Sequence, residues 1–313
     1  DSFLNFFPTL AVVLNVEADH LDYFKDLADV QKSFHKFAEM ATFGVAGNFT
    51  GHLEQAGEAK DFTNIATKDE NAPKAIFPTY LPIKNNSIPT FLLTFPFDSK
   101  KIIFPKNAEN LQIEPECAIV CNVTWNNNKI ENIHPIAFAA SNDCSIRKDG
   151  AKKISQKKNW GNSSKGISDN LIQLDNFSEN GIINDYKISC FLIRNNNIYT
   201  YGETSYIKDY SYIYKKLIDW IIEKLNNQKD EGPTENLNSY LANKEKPSQI
   251  LISIGATRYT DFGKSNFLQA NDKSVVILYP CDKYSDEEIL AIAKNQDYSH
   301  KDISLLCQDI VLQ

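Results

Sequence analysis

Two glutamates two positions apart are the clearest chemical feature of this sequence. Glu114 and Glu116 lie in the segment IEPECAIV, and the alternating, β-branched residues from Ile113 to Thr124 predict a strand. Side chains two apart on a strand project from the same face, with Cα atoms about 6 to 7 Å apart. Carboxylates that close raise one another's pKa unless a cation lies between them. The spacing therefore predicts a site for a hard divalent cation, Mg²⁺ or Mn²⁺, with Ca²⁺ as an alternative.

Further polar residues stand in short motifs on either side of this pair. The segment SNDCSIR supplies Asp143 and Arg147, and the later segment WGNSSKG supplies Lys165. His52 follows an earlier glycine-marked turn. These side chains are of the types that hold anionic substrates and move protons. Lys152, Lys153, Lys157 and Lys158 lie in the basic stretch between the two segments and are expected to form a solvated face.

The order of these motifs resembles the fumarylacetoacetate hydrolase superfamily. The chain carries GNFxxH at Gly47 to His52, then ExE, then NDxSxR from Asn142, then a lysine in an SKG turn, and then GxT at Gly255 to Thr257. The resemblance implies that Glu114, Glu116 and Asp143 bind the metal. It also implies a hydrolase, or a decarboxylase or isomerase, that acts on a 2-oxo acid or 1,3-dicarbonyl acid through an enolate that the cation stabilises.

The same resemblance implies roles for four other residues. Arg147 and Lys165 would have catalytic roles and help to place the anionic substrate, and Thr257 would contact a substrate carboxylate. His52 would lie near the reacting carbon as a catalytic group. The chain departs from many bacterial relatives at Gln55, which stands where they have a glutamate paired with the histidine. The identity of the general base stays open, and a non-catalytic metal- or ligand-binding protein of the same fold is the alternative.

Composition limits the partners that the chain can have. Its 313 residues carry a net charge of −7 without a basic stripe, so nucleic acid is not expected as a partner. It has no apolar run long enough to span a membrane and no secretion signal, so no membrane partner and a cytoplasmic location are expected. The expected partners are a small anionic oxo acid and, by the resemblance, a second copy of the chain in a homodimer.

Strands dominate the predicted elements. Segments 43–48, 188–194, 198–201, 250–256 and 274–279 are apolar and β-rich, whereas Tyr210 to Asn226 and Asp286 to Lys294 have helical periodicity. Residues 54–86 are polar and proline-containing and are expected to be irregular. We expect a mixed α/β fold that is mainly β, a fumarylacetoacetate hydrolase-like β-roll with few helices in residues 41–313, ending in a helical tail.

Residues 1–40 have a different character. The segment from Thr9 to Val16 predicts a strand, and Leu21 to Met40, the only methionine, predicts an amphipathic helix. The motif NVEADHLD, with Asn15, Asp19, His20 and Asp22, resembles the central domain of the Mur ligases, specifically UDP-N-acetylmuramate:L-alanine ligase. The chain has no GxxxxGK[ST] loop to hold ATP, so this part is expected to be a ligase fragment joined to a second module. Participation in peptidoglycan precursor ligation is a further alternative.

Overall fold

The computed structural model describes residues 40–313 except residues 66, 84, 107, 149 and 243–245. The strand predicted from Thr9 to Val16, and the helix predicted from Leu21 up to Met40, lie outside the described residues. Met40 itself is buried beside Phe97 and Leu251.

Strands make up most of this part of the chain. They are β1 (Ala41–Ala46), β2 (Ala75–Tyr80), β3 (Lys101–Phe104), β4 (Leu111–Gln112), β5 (Pro115–Asn126), β6 (Lys129–Asn142), β7 (Ser145–Ile146), β8 (Gly166–Ile167), β9 (Ile172–Gln173), β10 (Tyr186–Arg194), β11 (Asn197–Tyr206), β12 (Gln249–Ala256), β13 (Lys273–Pro280) and β14 (Ser304–Leu312). The predicted strands from residue 43 onward all correspond to members of this set.

The strands form two main sheets. The larger sheet has the order β2-β1-β12-β5-β6-β8, with β9 also paired to β6, and the smaller has the order β11-β10-β13-β14-β3. Strands β4 and β7 form a separate short pair. Within the described residues, β1–β12 and β3–β14 are parallel and the other pairs are antiparallel.

Asparagines close the two long hairpins. Asn127, between β5 and β6, has φ 54°, and Asn195 and Asn196, between β10 and β11, have φ 52° and 62°. Asparagine adopts the left-handed conformation more readily than most residues. Two consecutive positive φ angles are typical of the turn whose twist matches that of a two-stranded ribbon.

Six α-helices connect or cover the sheets in the described part. They are α1 (His52–Gln55), α2 (Ser155–Lys158), α3 (Tyr214–Asn227), α4 (Leu237–Leu241), α5 (Asp261–Ser265) and α6 (Asp286–Asn295). Helix α6 confirms the helix predicted from Asp286 to Lys294, and it begins with a capping box between Ser285 and Glu288. No helix in the described part of the chain is both long and apolar enough to cross a membrane.

The predicted start of α3 is four residues too early. The Tyr210 hydroxyl donates to the carbonyl of Gly255 at 2.6 Å, and the side chain of Asn48 pairs with both backbone groups of Tyr212 at 2.9 Å. These contacts hold the chain extended, so the helix begins at Tyr214. Its apolar side, including Leu217 and Trp220, joins the core between the sheets.

Two further expectations are wrong. Strand β2 lies inside residues 54–86, because Ala75, Ile76 and Phe77 are buried and pair with β1 despite the prolines around them. The chain also ends in strand β14 and not in a helical tail. Helix α6 instead packs through Ile289 and Ile292 on the outer side of the smaller sheet. The mainly β fold class is confirmed.

Candidate metal centre

The β5–β6 hairpin brings three carboxylates together. Its register pairs Pro115 with Asn142, so Glu114 and Asp143 lie side by side at the open end, and the Asp143 N–H donates to the Glu114 carbonyl at 3.0 Å. One carboxylate oxygen from each of Glu114, Glu116 and Asp143 lies within 4.8 Å of the others, and all three residues are buried. Oxygens this close can bind a single divalent cation.

A glycine of the neighbouring strand supports Glu116. The register between β5 and β12 shifts between Ser253 and Ala256, and there the Gly255 N–H donates to Glu116 Oε2 at 2.8 Å. Gly255 has φ 120°, and a Cβ on it would lie 3.0 Å from the Cβ of Asn48, so the position needs glycine. The GxT motif thus contributes to the site through the backbone N–H of its glycine, Gly255.

Glu116 forms no ion pair with any described residue. Burial, followed by the negative charges of Asp143 and Glu114, raises its pKa well above the usual value. A buried carboxylate crowded by two others is the environment in which a hard cation is stabilising. The donor set therefore fits Mg²⁺, Mn²⁺ or Ca²⁺, all of which prefer carboxylate oxygens.

A lysine that the sequence analysis placed in a solvated face lies inside this site. Lys158 Nζ is 2.5 Å from Glu114 Oε2 and 2.7 Å from Asp143 Oδ2, and its side chain is 4% exposed. Burial opposes the charged form, but Asp143 and Glu114 outweigh it and raise the pKa of Lys158. The spacing of residues could have indicated that Lys158 is buried. Ile154, Lys157 and Lys158 are neighbours on one helical turn, and Ile154 is apolar and buried.

Lys165 lies on the other side of Asp143. Its ammonium is 2.7 Å from Asp143 Oδ1 and donates to the Cys144 carbonyl at 2.8 Å, and the residue is fully buried. Burial lowers the pKa of Lys165, although Asp143 opposes that shift. These contacts orient Asp143. The role of Lys165 in substrate binding or catalysis stays a prediction.

Arg147 connects Glu114, a candidate metal ligand, to Glu58 at the edge of the site. Its guanidinium lies 2.8 Å from Glu114 Oε1 and 2.8 Å from Glu58 Oε1. It also donates to Gln112 Oε1 at 2.7 Å and to the Tyr259 hydroxyl at 3.0 Å. The side chain is therefore fully engaged and nearly buried, and it holds Glu114 in place.

Glu58 is the carboxylate that motif reasoning did not assign. It accepts from Lys157 at 3.0 Å as well as from Arg147. Burial opposes ionisation, but the positive charges of Arg147, Lys158 and Lys157 together outweigh it and lower the pKa of Glu58. A cavity of about 130 Å³ is lined by Glu58, Arg147, Lys148 and Lys157, so this group stands between the solvent and the buried carboxylates.

His52 has a defined tautomer. Its Nδ1 lies 2.8 Å from the carbonyl oxygen of Thr257, and a carbonyl can only accept, so Nδ1 carries the proton. Burial lowers the pKa of His52, which leaves Nε2 unprotonated at neutral pH. Glu114 and Glu58 are among the charges that act on the ring. The structure thus places a neutral His52, held by the backbone of Thr257, within electrostatic reach of Glu114 and Glu58, and its catalytic role stays a prediction.

Gln55 cannot act as the base that a glutamate at this position would provide, because an amide does not accept a proton at neutral pH. Its Oε1 accepts from the Tyr259 N–H at 2.8 Å and its Nε2 donates to the Tyr259 carbonyl at 3.3 Å. Both ends of the amide are used by the backbone. The contact of Thr257 with a substrate stays a prediction; its N–H donates to the Pro115 carbonyl at 3.1 Å.

Comparison with families of known sequences gives one assignment that covers most of the chain. The model of a family of unknown function, DUF5718, matches residues 58–310. The chain belongs to the DUF5718 family. The match includes Glu58, the three carboxylates and the lysines of the site, and it begins after His52.

Solved structures resemble this DUF5718 chain in fold. The crystal structure of Cg1458 with an inhibitor has a TM-score of 0.52 at 13% identity, and the similarity covers 88% of this chain and 78% of that one. A 2-keto-3-deoxy-D-arabinonate dehydratase complexed with magnesium and 2,5-dioxopentanoate has a TM-score of 0.50 at 14% identity, covering 88% and 74%. These neighbours are of the fumarylacetoacetate hydrolase type, so the predicted fold is confirmed.

Curated relatives match only short stretches of the DUF5718 chain. A UDP-N-acetylmuramate--L-alanine ligase from Agathobacter rectalis is 31% identical over 107 residues, which is 34% of this chain and 18% of the ligase. The ligase of Caldicellulosiruptor saccharolyticus is 60% identical over 38 residues, 12% of this chain and 8% of the ligase. The chain thus spans less than a fifth of the length of either relative. The ligase resemblance is confirmed as a partial match.

Proposed function

We propose that this chain is a divergent member of the fumarylacetoacetate hydrolase superfamily, a Mg²⁺- or Mn²⁺-dependent enzyme that acts on a small 2-oxo acid or 1,3-dicarbonyl acid. The reaction is hydrolysis, decarboxylation or isomerisation next to the oxo group. The observation that carries the proposal is the convergence of Glu114, Glu116 and Asp143 beside a histidine whose Nε2 is unprotonated.

In this proposal the three carboxylates hold the cation. A divalent cation bound there supplies Lewis-acid stabilisation of negative charge that develops on the oxo group. Gly255 fixes Glu116 by its N–H, and Lys165 fixes Asp143, so neither carboxylate turns away from the site. Preorganised donors of this kind act most strongly where water is excluded, as it is around these buried residues.

The proton and the substrate charge are handled by other residues. His52 accepts a proton from water or from the substrate at Nε2, because its Nδ1–H is already committed to the Thr257 carbonyl. Lys158 provides positive charge for the substrate carboxylate, which would be costly to bury without a cation, and Arg147 adds to it from the cavity side while it keeps its contact with Glu114. The named magnesium complex of the dehydratase that shares this fold supports an oxo compound as substrate class.

The test is turnover of a panel of acylpyruvates and oxaloacetate with Mg²⁺ or Mn²⁺. We expect activity with at least one member, abolished by chelation and lowered at least ~100-fold by Glu116→Gln, since the substitution removes one charged ligand without changing its size. Glu131→Gln, an exposed glutamate on β6, is the matched control and should leave turnover unchanged. Activity that survives both chelation and Glu116→Gln would refute the proposal.

A binding protein without turnover is the second candidate. The observation that favours it is Gln55, whose amide is used entirely by the backbone of Tyr259 where related enzymes have a carboxylate. The same panel separates the two functions. A protein that binds Mn²⁺ and oxalate in a Glu116-dependent manner but converts no member of the panel would favour binding.

A further inference from the structure

The ammonium of Lys158 lies where a cation shared by Glu114 and Asp143 would lie. It is 2.5 Å from one oxygen of Glu114 and 2.7 Å from one oxygen of Asp143. Divalent cations bind carboxylate oxygens at about 2.0 to 2.6 Å. A metal ion and this ammonium cannot both occupy the space between the two carboxylates, because their atoms would overlap and their charges would repel.

Two of the three carboxylates already contact buried cations. Glu114 contacts Arg147 and Lys158, and Asp143 contacts Lys158 and Lys165. A divalent cation added alone brings two more positive charges into this buried site. Uncompensated buried charge is strongly unfavourable. A ligand with two negative charges compensates them.

We propose that Lys158 is a built-in competitor for the divalent cation, so that the metal and a doubly anionic ligand bind this site together and each binds weakly alone. The inference rests on the proposed metal site and adds that the metal and the anionic ligand bind there cooperatively. When the metal enters, Lys158 leaves Glu114 and Asp143 and neutralises the ligand instead. Lys165 stays on Asp143, since it contacts the other oxygen.

The proposal also requires a second partner for the displaced ammonium, and Glu58 is the candidate. Glu58 is among the negative charges that act on Lys158, and it lies on the side of the site that borders the 130 Å³ cavity. The ring of Phe77, 5.4 Å from Nζ, flanks the same side chain. In this proposal the displaced Lys158 turns toward Glu58 and the incoming anion, so that it does not become an unpaired charge.

Calorimetric titration with Mn²⁺ on the full chain tests this inference, using oxalate as the doubly anionic probe. Two comparisons are made: the wild type with and without oxalate, and the wild type against Lys158→Met. Lys157→Met is the matched control, because the neighbouring lysine of α2 contacts Glu58 and Asp61 but none of the three carboxylates. Circular dichroism verifies that each variant is folded, and Lys158→Gln replaces Lys158→Met if the latter is not.

We expect Lys158→Met to bind Mn²⁺ alone at least ~10-fold more tightly than the wild type, and Lys157→Met to resemble the wild type. Oxalate should tighten Mn²⁺ binding to the wild type by at least ~10-fold and to Lys158→Met by much less. Equal Mn²⁺ affinity of the wild type and Lys158→Met would overturn the inference while leaving the metal site intact. If neither protein binds Mn²⁺, with or without oxalate, the metal site itself is wrong and both proposals fall.

Discussion

Replacing Lys165 by methionine tests how the fold tolerates its buried charges. Methionine keeps the apolar stem and removes the ammonium that contacts Asp143 and the Cys144 carbonyl. Breaking one side of a buried ion pair costs about 3 to 5 kcal/mol, because the remaining charge stays buried. Lys158 still contacts the other oxygen of Asp143, so we expect the lower end, a loss of about 3 kcal/mol in the free energy of unfolding.

Urea unfolding followed by tryptophan fluorescence measures this loss. With a slope of roughly 3 kcal/mol/M, the midpoint should fall by about 1 M without a change in slope. Lys273→Met is the control, since Lys273 also pairs with an aspartate, Asp309, but on an exposed part of the smaller sheet. That pair should contribute about 1 kcal/mol or less. Equal, small losses in both variants would refute the assignment of Lys165 to a buried ion pair that supports Asp143.

Three further predictions concern single groups. Burial raises the pKa of Glu235 from 4.5 to about 7, so in this window the folded state holds a proton that the unfolded state releases. As the pH rises from 4.5 to 7, the free energy of unfolding of the wild type should fall by about 3 kcal/mol more than that of Glu235→Gln, measured by urea unfolding at each pH. Nitrogen NMR at neutral pH should show His52 neutral with its proton on Nδ1, and a signal from an Nε2–H tautomer would contradict the assigned hydrogen bond. Gly255→Ala should lower the free energy of unfolding by about 1 to 3 kcal/mol in the same urea assay, because alanine is strained at φ 120°, and an unchanged midpoint would contradict this.

The sequence predicts the strands of the site well because their signals are local. Alternating apolar residues predict β5, although the strand begins at Pro115 and Glu114 lies just before it; the two glutamates still converge with Asp143. The helix of Asp286–Asn295 follows from its periodicity. Strand β2 escapes prediction because its pattern is interrupted by Pro78, which its position at the edge of the sheet tolerates.

The cations of the site are harder to predict because their burial depends on distant partners. Lys157 and Lys158 have the composition of a solvated turn, and only the carboxylates that meet them make burial favourable. Glu58 likewise gains its role from Arg147, which is far along the chain. The local sequence pattern predicts on which face of a strand or helix a residue lies. It does not predict which charged side chains of other elements will pack against that residue.

The hairpin origin of the three carboxylates has a consequence for how the chain folds. Glu114 and Asp143 meet through a local contact, whereas Lys158 reaches Glu114 across 44 positions and the hydrogen bond of His52 to Thr257 spans 205. Loop closure favours the nearer contact first. The open end of the hairpin therefore gathers like charges before their counter-charges arrive. The residue pairs at the open end of the hairpin should form only when α2 packs against them. The amides of Glu116 and Asp143 should therefore gain hydrogen-exchange protection later than those in the middle of β5.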